Sequence, residues 1–140
     1  MGRLLSIDYG KKRCGVAVTD PLQIVAGGLA TVPTQTLETF LKEYFSREDV
    51  EAIIIGLPRT VRGEASESMR FITPAVNRFK KVFPDKRIEF YDERFTSVLA
   101  HRAMIDGGLS KMQRRDKALV DEMSAVIILN DYLQSKQYRQ

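Results

Sequence analysis

The chain is 140 residues long, 44% hydrophobic and 29% charged, a soluble globular profile that excludes a wholly disordered chain and fits one domain over residues 1–140. Its one cysteine, Cys14, excludes an intrachain disulfide and suits a reducing, cytoplasmic setting; no window nears the ~18 apolar residues that cross a bilayer, and Met1-Gly2-Arg3 leads into no signal-peptide apolar region. The net charge of +4, from 22 basic and 18 acidic residues, is too small to name a polyanionic partner by itself, so the placement of the charges matters more than their total.

Residues 3–8 and 13–19 read as two strands around Tyr9-Gly10-Lys11-Lys12, hence a hairpin. Residues 24–32 read as a third strand after the Asp20-Pro21 turn, with a bulge expected at Gly27-Gly28. The period then changes. Leu37, Phe40, Leu41, Tyr44 and Phe45 fall on one face of an amphipathic helix. Ala52-Ile53-Ile54-Ile55-Gly56 is a short β-branched run, read as a buried strand that Gly56-Leu57-Pro58 ends. Met69, Ile72, Val76, Phe79 and Phe83 again have helical spacing. Pro74 lies inside that run, where an interior proline costs about 3 kcal/mol, so a kink or break is expected. Residues 87–91 form a fifth strand. Thr96 is a plausible N-cap for a helix ending before Gly107-Gly108. A basic segment, Leu109–Arg115, leads to a last helix from near Asp116 to about Ser135. The order β-β-β-α-β-α-β-α-α predicts an α/β fold: a mixed five-stranded sheet, its first three strands antiparallel and later ones parallel to the first, flanked by helices.

Three acids stand where acids are awkward. Asp8 ends an apolar strand, Glu93 follows the fifth strand, and Asp121 lies near the start of the last helix. Asp121, Ala125 and Ile128 share a helix face, so Asp121 is expected to look inward. In open α/β sheets, ligands bind beyond the carboxyl ends of the strands. Carboxylates are rarely buried unless paired, hydrogen-bonded or bound to metal. Acids converging from distant elements point to hard divalent cations, Mg²⁺ or Mn²⁺, and to phosphodiester hydrolysis. Blander roles compete: Asp8 as a turn aspartate, Glu93 as a surface partner of Arg94, Asp121 as a first-turn acid favoured by the helix dipole. Asp92 and Glu122 are weaker candidates, because adjacent side chains face different ways. His101, the only histidine, falls on a polar stretch and reads as a surface residue. Ser110 and Thr96 have no histidine partner for a hydrolase triad. There is no zinc-type cysteine cluster, Walker A motif or G-x-G-x-x-G.

The cations gather near those acids and strand ends. Lys11, Lys12 and Arg13 occupy the first turn; Arg59 and Arg62 lie in a Gly-containing loop; Arg114 and Arg115 precede Asp121. These clusters are candidate phosphate contacts, with a solvated surface as the alternative.

The stretch from Ile7 to Asp20, with Asp8-Tyr9-Gly10-Lys11-Lys12-Arg13-Cys14-Gly15 at its heart, resembles the opening motif of the YqgF (RuvX) family. Ile55-Gly56-Leu57-Pro58, Asp92-Glu93-Arg94-Phe95-Thr96 and Val120-Asp121-Glu122-Met123-Ser124-Ala125 resemble its later motifs, in order and over nearly the whole chain. The chain departs from that pattern at Cys14, where an aliphatic residue is usual, and at Arg59-Thr60-Val61-Arg62, which replaces an Asn-rich stretch. The resemblance implies an RNase H-like fold and a bacterial, cytoplasmic nuclease of precursor 16S rRNA that acts in ribosome maturation and is related to Holliday-junction resolvases. It makes Asp8, Glu93 and Asp121 the catalytic, metal-binding triad and places Arg94 against substrate. Cleavage of branched DNA and non-catalytic nucleic-acid binding remain open alternatives, as do a monomer and a homodimer. An actin-like or sugar-kinase ATPase also begins with an Asp-x-Gly strand, but it needs a second, similar domain.

Overall fold

The computed structural model describes residues 2–57, 69–92 and 117–138, with the side chains at 57, 92, 117–121 and 136–138 outside that description. Its strands are β1 (Arg3–Tyr9), β2 (Arg13–Thr19), β3 (Ala26–Pro33), β4 (Val50–Leu57) and β5 (Arg87–Asp92). Its helices are α1 (Leu37–Arg47), entered through a 3-10 turn at Thr34–Thr36, α2 (Met69–Val82) and α3 (Lys117–Tyr138). The helix expected between Thr96 and Gly107 lies outside the described residues.

The strand order is β3-β2-β1-β4-β5. β1 pairs antiparallel with β2, and β2 with β3; β4 is parallel to β1, and β5 to β4. This is the mixed sheet that the pattern predicts, with β1 at its centre. Two details differ. β3 begins at Ala26 rather than residue 24, because the Asp20 carboxylate accepts the amides of Ile24 (2.7 Å) and Val25 (2.8 Å) and holds them in a loop. The bulge falls one residue past the glycine pair: Val16 faces Ala30 and Ala17 faces Gly28, leaving Leu29 as the extra residue.

The helix over Met69–Val82 runs through Pro74 without the expected break. Proline forfeits one bond to the carbonyl four residues earlier. Here that carbonyl belongs to Arg70, an exposed residue in the first turn, where water can take the lost donor's place.

Strand alternation divides the interior. Leu5, Ile7, Val16, Ile53 and Ile55 face α1 and α2, where they join Leu37, Leu41, Ile72, Val76 and Phe79. Leu4, Ala17, Ala52 and Ile54 face α3, meeting Ala125, Ile128, Leu129 and Leu133. Ser6 and Asp8 share the parity of Leu4 and so belong to the α3 face. Among the described residues no helix is long and apolar enough to cross a membrane.

Candidate active site

The site begins with a buried serine. Ser6 is fully buried in the middle of β1. Its hydroxyl donates to the Ala125 carbonyl across 2.6 Å. That bond joins the central strand to α3 and sets how closely the helix backbone approaches the sheet. The approach is possible because the facing residues are small: Ala17 and Ala52 on the sheet and Ala125 on the helix are all fully buried. At Gly28, on β3, any added Cβ would run into the Glu122 carboxylate. α3 therefore crosses the sheet from β3, beneath Glu122, to β5, where the Tyr132 hydroxyl donates to Glu89.

Asp8 lies two residues beyond Ser6 on the same face, about 7 Å farther along the strand. It is half-buried and pairs with Gly15 on β2. On the other side the ladder to β4 ends at Ile7 opposite Ile55. Asp8 is thus placed where β1 leaves the parallel part of the sheet. β4 and β5 end on the same edge, with Leu57 paired to Asp92. On α3, Asp121 stands four residues, just over one turn, before Ala125, about 6 Å along the axis from the residue whose carbonyl Ser6 holds. The structure thus brings the elements bearing Asp8 and Asp121 together around one hydrogen bond. The Asp121 side chain lies outside the described residues. So does Glu93, which follows the last residue of β5. Among the described residues no group of three potential ligand side chains could hold a metal ion.

Of the expected cationic contacts, Lys11 and Lys12 are exposed at the hairpin tip and Arg13 is half-buried at the start of β2. The hairpin is held firmly. A side chain at Gly10 would collide with the Arg13 carbonyl. The Gly10 carbonyl accepts from Thr34 Oγ1 (2.7 Å), and the Thr34 amide donates to the Lys12 carbonyl (3.0 Å). Arg59, Arg62, Arg94, Arg114 and Arg115 lie outside the described residues, as does His101.

Cys14 is the small buried strand residue its context predicts, with Sγ 3.4 Å from Thr34 Oγ1. Tyr9 turns to the face opposite Asp8 and packs on Phe71, ring centroids 6.0 Å apart. Burial, reinforced by the nearby Cys14 thiol, pushes its phenol above the ordinary range, so it stays a neutral hydroxyl and is no candidate base. Sequence reasoning missed Ser6 and Thr34. The only available signals were a serine inside an apolar strand and a threonine just after a proline.

A family profile described as "RuvX: Holliday junction resolvase" matches residues 2–135. The chain belongs to the RuvX family. It is 60% identical over 138 residues to a protein of Phocaeicola vulgatus, covering 99% of each chain. It is 56% identical to one of Bacteroides thetaiotaomicron, covering 99% of this chain and 100% of that one. A Porphyromonas gingivalis protein is 58% identical over 133 residues, covering 95% of this chain and 96% of its own. All three carry the name "Putative pre-16S rRNA nuclease". The family's RNase H-like architecture is the mixed sheet with helices on both faces described above.

Proposed function

We propose that the protein is a metal-dependent endonuclease that hydrolyses phosphodiester bonds in maturing the 5′ end of the 16S rRNA precursor. In this reading it works in the cytoplasm as one domain spanning residues 1–140. Asp8, Glu93 and Asp121 are its catalytic and metal-binding carboxylates. The observation that carries the reading is the Ser6–Ala125 hydrogen bond, which seats α3 on the face that bears Asp8. Strand parity adds support. Glu89 and Tyr91 of β5 turn toward α3, and Glu93 is the next residue of that parity.

The donor set fits the ion. Three carboxylates, with no sulfur or imidazole among them, suit Mg²⁺ or Mn²⁺. An ion held there supplies charge stabilisation to the attacking and leaving oxygens of the phosphodiester. The chain's own part is placement. β1 fixes the Asp8 carboxylate on a strand paired on both sides. Lys11 and Lys12 draw in the phosphate backbone, and Arg13, Arg59, Arg62, Arg94, Arg114 and Arg115 extend that attraction.

The name borne by the relatives supports precursor rRNA as substrate. The family description favours a second reading, resolution of branched DNA, for which a homodimer would present two sites to two strands. Side-by-side digestion of a precursor rRNA fragment and a four-way junction separates the two. The expected result is RNA cleavage in Mg²⁺ or Mn²⁺ that disappears with chelator and in Asp8→Asn. Equal cutting by Asp8→Asn removes the assigned site. Cutting of the junction alone selects the second reading, and binding without cutting selects a non-catalytic factor.

A further inference from the structure

A pocket of about 280 Å³ opens between the start of α1 and the middle of α2. One wall is Tyr9, the residue after Asp8, so the pocket begins one position along β1 from the proposed chemistry and on the opposite face of the sheet. Phe79 lies at the base, 3% exposed and part of the core, so Tyr9 is the ring that a bound base would meet. Thr34, Gln35 and Thr39 contribute hydroxyl and amide groups at the rim. Its volume stands at the lower edge of the ~300–1,000 Å³ range of small-molecule sites, room enough for one planar ring.

Its charge is balanced. Glu38 accepts from Arg78 at 2.8 and 3.3 Å and lies 3.5 Å from Lys42. The Arg78 guanidinium holds that carboxyl below its ordinary range, so it stays paired rather than repelling a phosphate chain. The excess positive charge lies next door. Thr34 lines the pocket and is also bonded to the carbonyls of Gly10 and Lys12. The cationic hairpin tip and the aromatic pocket are therefore one rigid unit. A cationic track beside an aromatic wall is how proteins hold single-stranded nucleic acid without reading its sequence.

We propose that this pocket is a subsite for one unpaired nucleobase, whose flanking phosphates rest on Lys11 and Lys12 while the scissile bond lies at Asp8. The subsite rests on the nuclease reading above and sharpens it: the substrate carries a single-stranded segment beside the cut.

The test uses the full chain with Asp8→Asn, so that the probe is not cut, and a short labelled single-stranded RNA in which one abasic site is walked along the strand. Binding is read by fluorescence anisotropy. Thr39 is exposed on α1, so Thr39→Trp can plug the pocket from its rim. One abasic position and the Thr39→Trp change should each weaken binding about tenfold, the size of a lost base–aromatic stack. Together they should cost no more than either alone. Independent, multiplying losses overturn the subsite. So does a Thr39→Trp protein that binds every RNA as the parent does. Should Thr39→Trp not fold, the abasic walk still decides: a flat profile overturns the proposal. If the wild type cuts the precursor but the pocket is silent, only the subsite falls. If it neither binds nor cuts, the nuclease reading falls and takes the subsite with it.

Discussion

The face of the sheet beneath α1 and α2 is filled with large side chains, whereas the face beneath α3 sets two alanines, Ala17 and Ala52, and Ser6 among Leu4 and Ile54. On the first, Phe79 and Phe83 lie with ring centroids 6.1 Å apart, and Phe45 meets Phe83 edge-on at 5.0 Å. On the second, Ala17, Ala52 and Ala125 are fully buried beside a polar residue, Ser6. Large rings on one side bury much apolar area and hold the domain together. Small residues on the other let a helix backbone come close enough for a serine to reach its carbonyl. The comparison assigns stability chiefly to one face and the placement of chemistry to the other.

That division can be broken in several ways. The largest expected effect is on activity alone: Asp8→Asn should lower cleavage by more than about 100-fold, beyond the cost of losing a residue that merely supports a ligand, while the thermal midpoint holds. A midpoint that fell with activity would put Asp8 among the stabilising residues instead. Phe79→Ala should show the converse, losing about 3–5 kcal/mol in urea unfolding while its folded fraction still cuts. Ala125→Leu would over-pack the α3 face, at about 1–3 kcal/mol; cleavage should fall further than the folded fraction does, because the helix is lifted from Ser6. If activity simply tracked folding, the spacing of α3 would have no catalytic meaning. Ser6→Ala should be milder, about 1 kcal/mol, with cleavage reduced and RNA binding retained.

The smallest effect belongs to neither face. Amides of Val25, and then of Ile24 and Leu22, hold the Asp20 carboxyl below its ordinary value near 3.8. Its contribution to stability is therefore complete above that value and is lost as pH falls through the lower folded one. Thermal melts across the acid range should show a shallower acid limb in Asp20→Asn and unchanged cleavage at neutral pH. A change in cleavage would mean that this loop, at the far end of the sheet from Asp8, communicates with the site.

Much of the fold was readable because the signals were local. Apolar runs on either side of a Gly-Lys turn marked β1 and β2, a continuous β-branched run marked β4, and a change to helical spacing marked α1 and α2. Asp8 stood out because an acid closes an apolar strand. The bond that organises the site was not readable, since its partners are 119 residues apart and a serine within a strand has many possible roles. Pro74 does not break α2, because the carbonyl that loses its donor belongs to Arg70 in the exposed first turn. The start of β3 is likewise set by backbone bonding: Ile24 and Val25 have strand-forming side chains, but Asp20 claims their amides. Glu93 and the arginines at 59, 62, 94, 114 and 115 fall outside the described residues, and their roles belong to the proposal.

β1 is flanked by β2 on one side and β4 on the other. Strands so enclosed release their amides to solvent exchange only when the whole domain opens. Asp8, one residue from the end of β1, is anchored to a segment of that kind, not to a fraying edge. Deuterium uptake at Leu5 through Ile7 should thus be among the slowest in the molecule, and warming should extinguish cutting at the temperature where the domain melts, with no earlier, separate failure of the active centre.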